Sequence, residues 1–262
     1  MEYIVIASVA LFVSGLTFFS GFGLGTLLMP VFALFFPVEV AVAATAIVHL
    51  ANNIFKIILM GKYAEMKIVL QFALPAAIAA AVGAYLLSFI SNLNYLASYS
   101  LWGKEFFITP VKIIIAILMV VFSLFELIPS LKNFQVKDKL IPLGGLLSGF
   151  FGGISGHQGA LRTAFLVRTG MNKNALIGTM VTSAVVIDIS RLIVYGFTFF
   201  TKDISLMQNK GIYDLIIVGI IAAFLGAFIG KQLLDKITLK GIQITVAVML
   251  LILAAGLFTG VV

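Results

Sequence analysis

Apolar runs long enough to cross a bilayer recur along the whole of this sequence, at 3–36, 38–60, 66–90, 106–130, 140–167, 173–200, 212–230 and 239–261. A helix needs about 20 such residues to span a hydrocarbon core of about 30 Å. Between the runs lie short polar breaks: Gly61-Lys62, Ser91-Asn92, Lys132 to Lys139, Met171-Asn172-Lys173, Lys202-Asp203 and Lys231 to Lys236. Charged residues make up 10% of the chain, against about 25% in soluble domains, so most of the surface is not built for water. A soluble enzyme, a disordered chain and a secreted disulfide scaffold are all excluded. With no cysteine, the chain has no disulfide, iron–sulfur cluster or thiolate zinc site. The net charge of +7 fits lysine- and arginine-rich cytoplasmic loops and comes with no nucleic-acid motif. The fold class expected is an all-α polytopic membrane protein.

Met1-Glu2-Tyr3 opens with an acid and the apolar run continues to Phe36, which does not read as a removable signal. One membrane domain over 1–262 is expected, built of repeat 1 (1–133) and repeat 2 (138–262). At a spacing of 135 residues, Ser20-Gly21 falls on Ser155-Gly156, Asn53 on Asp188, Lys56 on Arg191 and Gly61 on Gly196. With eight more residues in the 201–211 loop, Gly83-Ala84 falls on Gly226-Ala227. Each half reads as a glycine-broken segment followed by three transmembrane helices.

Loop charges set the relative orientation of the halves. If all eight segments cross once, the loops carry 7 basic residues on one face and 6 on the other. If segments one and five are re-entrant hairpins, one face collects ten: Lys62, Lys67, Lys132, Lys137, Lys139, Arg168, Lys173, Lys231, Lys236 and Lys240. The other face keeps Lys104, Lys202 and Lys210. The second arrangement satisfies the positive-inside rule and gives each half an odd number of crossings, so the repeats are inverted. Both termini are then extracytoplasmic in a multi-pass protein of a cell membrane, read as a prokaryotic plasma membrane.

The broken segments hold Ser20-Gly21-Phe22-Gly23-Leu24-Gly25 and, one repeat later, Gly152-Gly153 and Ser155-Gly156-His157-Gln158-Gly159. Glycine costs a helix interior about 1 kcal/mol relative to alanine. Such density marks either small-residue helix packing or an unwound turn lining a cavity. His157 and Gln158 favour the turn, because packing motifs have no use for them.

Gly21-Phe22-Gly23-Leu24-Gly25-Thr26-Leu27-Leu28-Met29-Pro30, with its glycine-rich counterpart, resembles the TauE/SafE family of sulfite and organosulfonate exporters. The resemblance runs through length, duplication and segment order. The second motif departs from the usual pattern, with Phe165 where a proline is common. The resemblance implies a transporter of a small sulfur-containing or similar anion.

An anion is also what the residues themselves call for. If the hairpins enter from opposite sides, half-helices starting near Leu24 and Ala160 aim their N-termini at one midplane point, where free N–H groups and the dipole attract anions. Ser20, Gly21, Gly23, Ser155, Gly156, His157, Gln158 and Arg162 are the expected substrate-binding residues. Arg162 lies in the first turn of the second half-helix and offers a planar fork suited to an oxyanion; pairing with a buried carboxylate or carbonyls is the competing reading. Asn53 with Lys56, and Asp188 with Arg191, each share a helix face at a spacing of three. Lys56 and Arg191 read either as cationic attractors at two ends of an anion path, or as a snorkelling lysine and half of an Asp188–Arg191 ion pair. His49 either lines the pathway and relays a proton or bonds a backbone carbonyl.

The function expected is a secondary transporter moving a small anion by alternating access, with a channel or an integral membrane enzyme as alternatives. No paired catalytic carboxylates, His–Glu–x–x–His motif or Walker A loop is present. No cofactor or metal is expected. The partners are the anion, the lipid bilayer and a coupling proton or sodium ion.

Overall fold

The computed structural model describes residues 1–16, 24–127, 138–200, 211–232 and 239–261. Its first half runs α1 (Glu2–Leu16), α2 (Leu24–Ala33), α3 (Val38–Met60), α4 (Met66–Ser91), β1 (Ala97–Leu101), β2 (Lys104–Ile108) and α5 (Pro110–Leu127). The second half runs α6 (Ile141–Ser155), α7 (Gln158–Leu166), α8 (Lys173–Tyr195), α9 (Ile212–Gln232) and α10 (Leu239–Phe258). Among the described residues four stretches are long and apolar enough to cross a membrane: Val38–Tyr63, Met66–Ser91, Lys173–Phe199 and Ile212–Gln232. At 1.5 Å per residue, the 10 residues of α2 and the 9 of α7 each cover no more than about half of the roughly 30 Å hydrocarbon core.

Local chemistry sets the boundaries. Pro37 precedes α3 with φ −52° and ψ 146°, a place where its missing N–H costs no helical bond. Asn172 caps α8, its side chain accepting from the Ala175 N–H at 3.0 Å, which satisfies one of the free donors of a helix start.

The helices pack in pairs: α1 on α9, α4 on α6, α3 on α9, α4 on α8, α3 on α8 and α5 on α10. Exchanging α1–α5 with α6–α10 in order converts each of these pairs into another of the set or into itself. The closest contact is between α4 and α6. There Gly145, Gly149 and Gly153, spaced by four, lie so near the carbonyl oxygens of Phe72, Ala76 and Ala80 that a Cβ at any of them would overlap backbone. These three glycines therefore serve helix packing, while the chain breaks further on, at Gly156.

Two expectations are corrected at the 91–110 region. The apolar segment set at 106–130 is a strand up to Ile108, and the helix begins at Pro110. Strands β1 and β2 pair antiparallel with Leu101 opposite Lys104, joined by Trp102 (φ 50°) and Gly103 (φ 74°). Positive φ at both central residues is the geometry of a two-residue hairpin turn. The hairpin is tied to the end of α10 by Tyr99, whose hydroxyl donates to Thr259 O at 2.6 Å. Lys112, which the 106–130 segment encloses, sits in the first turn of α5 and donates to Phe107 O and Gly260 O, both at 3.0 Å.

Candidate functional site

The break between α6 and α7 builds one wall of the site. Gly156 takes a left-handed conformation at φ 80°, which glycine enters without a Cβ penalty, and its N–H closes α6 on Gly152 O at 2.9 Å. His157 caps the next helix with its ring stacked on Phe122 of α5, centroids 5.8 Å apart and planes 7° from parallel. Its Nδ1 faces Ser155 O at 2.9 Å and Ser155 Oγ at 3.0 Å. Its Nε2 is buried without a hydrogen-bond partner among the described residues, as are Thr45 Oγ1 and Ser183 Oγ.

The first turn of α2 meets this break. A Cβ at Gly25 would stand 3.3 Å from Gly156 O and 3.4 Å from His49 Cδ2. The starts of α2 and α7 thus lie close together, with the His49 imidazole edge against the first.

Asp188 is the hub. Its Oδ1 accepts from Arg191 Nε (3.0 Å), Arg191 Nη2 (2.7 Å) and Gln158 Nε2 (2.8 Å). Its Oδ2 lies 2.6 Å from His49 Nδ1 and accepts from Asn53 Nδ2 at 3.3 Å. The carboxylate thereby joins α3, α7 and α8 in one buried network. Arg191 also donates through Nη1 to Gly152 O at 3.2 Å, and the Tyr195 hydroxyl donates to Gly153 O, so α8 holds the last turn of α6 from two positions. Arg162 is 2% exposed and reaches Gln158 Oε1 through Nη1 at 3.4 Å. Lys56 lies one turn beyond Asn52. With the Asn52 nitrogen toward Ser14 Oγ (3.2 Å) and Ala223 O (3.3 Å), its oxygen accepts from Lys56 Nζ at 3.2 Å.

Among the described residues the buried charged side chains are Lys56, Arg162 and Arg191 against Asp188 alone. Isolated charge is costly away from water and marks function in membrane segments, and this interior is arranged to offset negative charge.

His49, Asn53, Gly156, Gln158, Asp188 and Arg191 come together, with Arg162 bonded to Gln158. Ser20, Gly21 and Gly23 lie outside the described residues. Arg162 is the fifth residue of α7 and so opens its second turn, not the first as the sequence placed it. Arg191 forms the ion pair with Asp188, one of the two readings the sequence offered for it. Thr179 of α8 accepts from the Glu65 N–H at 3.0 Å, tying α8 to the start of α4. Tyr195 and Phe122 were missed because nothing in the sequence separates an aromatic that bonds or stacks at a site from one that fills a core. Asn52 was not singled out by the sequence, although it has the same one-turn spacing to Lys56 as His49 has to Asn53. An apolar groove of about 760 Å³, lined by residues including Leu11, Phe12, Ile221 and Met249, shares no residue with this cluster.

Long apolar helices around a charged, buried interior define a multi-pass membrane protein. The chain belongs to the sulfite exporter TauE/SafE family, whose model matches residues 3–257. No curated protein and no solved structure matches it. Membership makes this chain a membrane transporter.

Proposed function

We propose that this protein is a secondary transporter of a small anion, sulfite or an organosulfonate, working by alternating access around a site between the starts of α2 and α7. The observation that carries this reading is the buried imbalance of Lys56, Arg162 and Arg191 over Asp188 beside two helix N-termini, which bind anions through free N–H groups and their dipoles. Arg162 is assigned to hold the oxyanion by its planar fork, with Ser155, Gly156, His157 and Gln158 around it. Lys56 and Asn53 line the approach, and Asp188 with Arg191 keeps the site in shape.

Two inverted repeats, 1–133 and 138–262, are part of the proposal. It is supported by the packing pairs that map onto one another when the halves are exchanged, and by the 135-residue spacing that aligns Asn53 with Asp188 and Lys56 with Arg191. Paired repeats of this kind rock against each other around a fixed site in transporters. A cell-membrane location with both termini outside follows from the distribution of lysine and arginine.

Purified protein in liposomes, offered sulfite, sulfate, thiosulfate, sulfoacetate, chloride and acetate, tests the reading. Saturable counterflow of sulfite or a sulfonate is expected, and it is lost in Arg162→Ala. Absence of counterflow for every anion, or an Arg162→Ala variant that behaves as the parent does, refutes it.

A further inference from the structure

The contact between His49 Nδ1 and Asp188 Oδ2, 2.6 Å between two buried groups, requires one proton between them, since both atoms otherwise present lone pairs. With that proton on Nδ1, the remaining lone pair of the ring is at Nε2. Asn53 Nδ2 stands 3.0 Å from Nδ1, 3.3 Å from Nε2 and 3.3 Å from Asp188 Oδ2; with Nδ1 protonated, the acceptors left to its amide are Nε2 and Asp188 Oδ2. The Cγ–Cδ2 side of the same ring faces the first turn of α2, at 3.8 and 3.4 Å from the place of a Gly25 Cβ, and Nε2 is the ring nitrogen bonded to Cδ2. One titratable nitrogen therefore lies beside the helix start where the anion is proposed to bind.

We propose that His49 is the proton-loading site of this transporter, taking a second proton at Nε2 when the anion binds, so that anion and proton move together. The inference rests on the anion-transport reading above. A proton from solvent goes to the Nε2 lone pair, the Nδ1–H stays on Asp188 Oδ2, and the Asn53 amide, no longer able to donate to Nε2, remains on Asp188. The charged groups around the ring are Asp188 and Arg191 from α8 and Arg162 from α7. On its own helix Lys56 follows two turns later. From α2, whose sequence is Leu-Gly-Thr-Leu-Leu-Met-Pro-Val-Phe-Ala, no ionisable side chain comes, and α9 has none between Asp214 and Lys231. With two arginines against one carboxylate around it, the second N–H of the ring, at Nε2, gains an anionic partner only when an anion arrives. Binding of the anion and of the proton then strengthen each other by the same factor, as linkage demands. Histidine is the side chain that changes charge near neutral pH, which makes the coupling usable in a cell.

The test uses methanesulfonate, which stays fully ionised across the working range, and the intact purified chain. Titration calorimetry in buffers of different ionisation enthalpy counts the protons taken up per anion bound. The wild type is expected to take up close to one proton near pH 7.5, its affinity falling by up to about tenfold per pH unit above neutrality. His49→Gln, which can still donate to Asp188, is expected to bind without proton uptake and without that pH dependence. If the wild type binds equally at acid and alkaline pH and exchanges no proton, the proposal is overturned with no variant needed. It is also overturned if His49→Gln keeps the uptake, or if His157→Gln removes it in place of His49→Gln. Failure to bind any anion at any pH removes the transport reading and this inference together, whereas binding without proton uptake removes the inference alone.

Discussion

Asp188 and Arg191, three residues apart on α8, meet through Arg191 Nε at 3.0 Å and Nη2 at 2.7 Å on the same carboxylate oxygen, and both side chains are fully buried. Removing one partner of such a pair leaves an uncompensated charge away from water, a loss of about 3–5 kcal/mol, whereas replacing both is often near neutral. Asp188→Asn is therefore expected to lower the unfolding midpoint in detergent sharply. The double variant Asp188→Asn with Arg191→Met recovers most of that loss while transport stays absent. A single variant as stable as the parent would show that the pair holds nothing together.

Arg162 is placed differently. It opens the second turn of α7 and donates to Gln158 Oε1 at 3.4 Å, the side chain whose Nε2 is held by Asp188. Arg162→Lys keeps the charge and loses the bidentate geometry, so affinity for sulfite is expected to drop at least about tenfold, the discrimination a charge-assisted contact supplies. Arg162→Ala abolishes binding, and both variants should unfold near the parent temperature. Equal affinities for parent and Arg162→Lys in a binding titration would mean that the planar fork plays no part.

Much of this was legible in the sequence because the membrane makes polar residues rare. Lys56, Arg162, Asp188 and Arg191 stood out in apolar runs, and the spacing of 135 residues placed Asn53 opposite Asp188, which now bond at 3.3 Å. Pairing partners were harder to read. Arg191 looked like an attractor at one end of a path as readily as the partner of Asp188, because a spacing of three permits a contact without requiring it. His49 bonding to Asp188 joins positions 139 residues apart, and no local pattern encodes that. The hairpin at 97–108 escaped notice because its turn, Trp102-Gly103, carries none of the usual Asn-Gly signal. Glycines posed the opposite problem: Gly149 and Gly156 look alike in the sequence, yet one packs against a neighbouring helix and the other ends its own.

That difference gives a stability test. A Cβ at Gly149 would overlap the Ala76 carbonyl of α4, whereas a Cβ at Gly196 would meet nothing within 4 Å. Gly149→Ala must push α4 and α6 apart, with a loss of about 1–3 kcal/mol, read as a lower unfolding midpoint or as poor yield of monodisperse protein. Gly196→Ala, in an ordinary helical conformation (φ −56°), should match the parent or exceed it, since alanine loses less backbone entropy on folding. Equal behaviour of the two variants would contradict the closeness of the α4–α6 contact.

The orientation of the chain is open to direct chemistry, since it has no cysteine to interfere with labelling. Trp102 is 91% exposed at the tip of the hairpin, and the hairpin is bound to the end of α10 through Tyr99 and Thr259. Ala33 to Pro37, at the start of α3, line one cleft with Glu105 to Phe107 and Gly260, so hairpin, α3 start and C-terminal end share a face. The 23 residues of α3 rise about 35 Å and carry the chain to Lys62 on the other face. The basic residues Lys62, Lys67, Arg168 and Lys173 flank the ends of long apolar helices there, where the positive-inside rule puts the cytoplasm. A membrane-impermeant maleimide applied to intact cells is therefore expected to label Trp102→Cys and to spare Lys62→Cys until the membrane is permeabilised. A reporter active only in the cytoplasm and fused after Val262 should be inactive. Labelling of Lys62→Cys in intact cells with protection of Trp102→Cys would invert the molecule and with it the assignment of both termini to the outside.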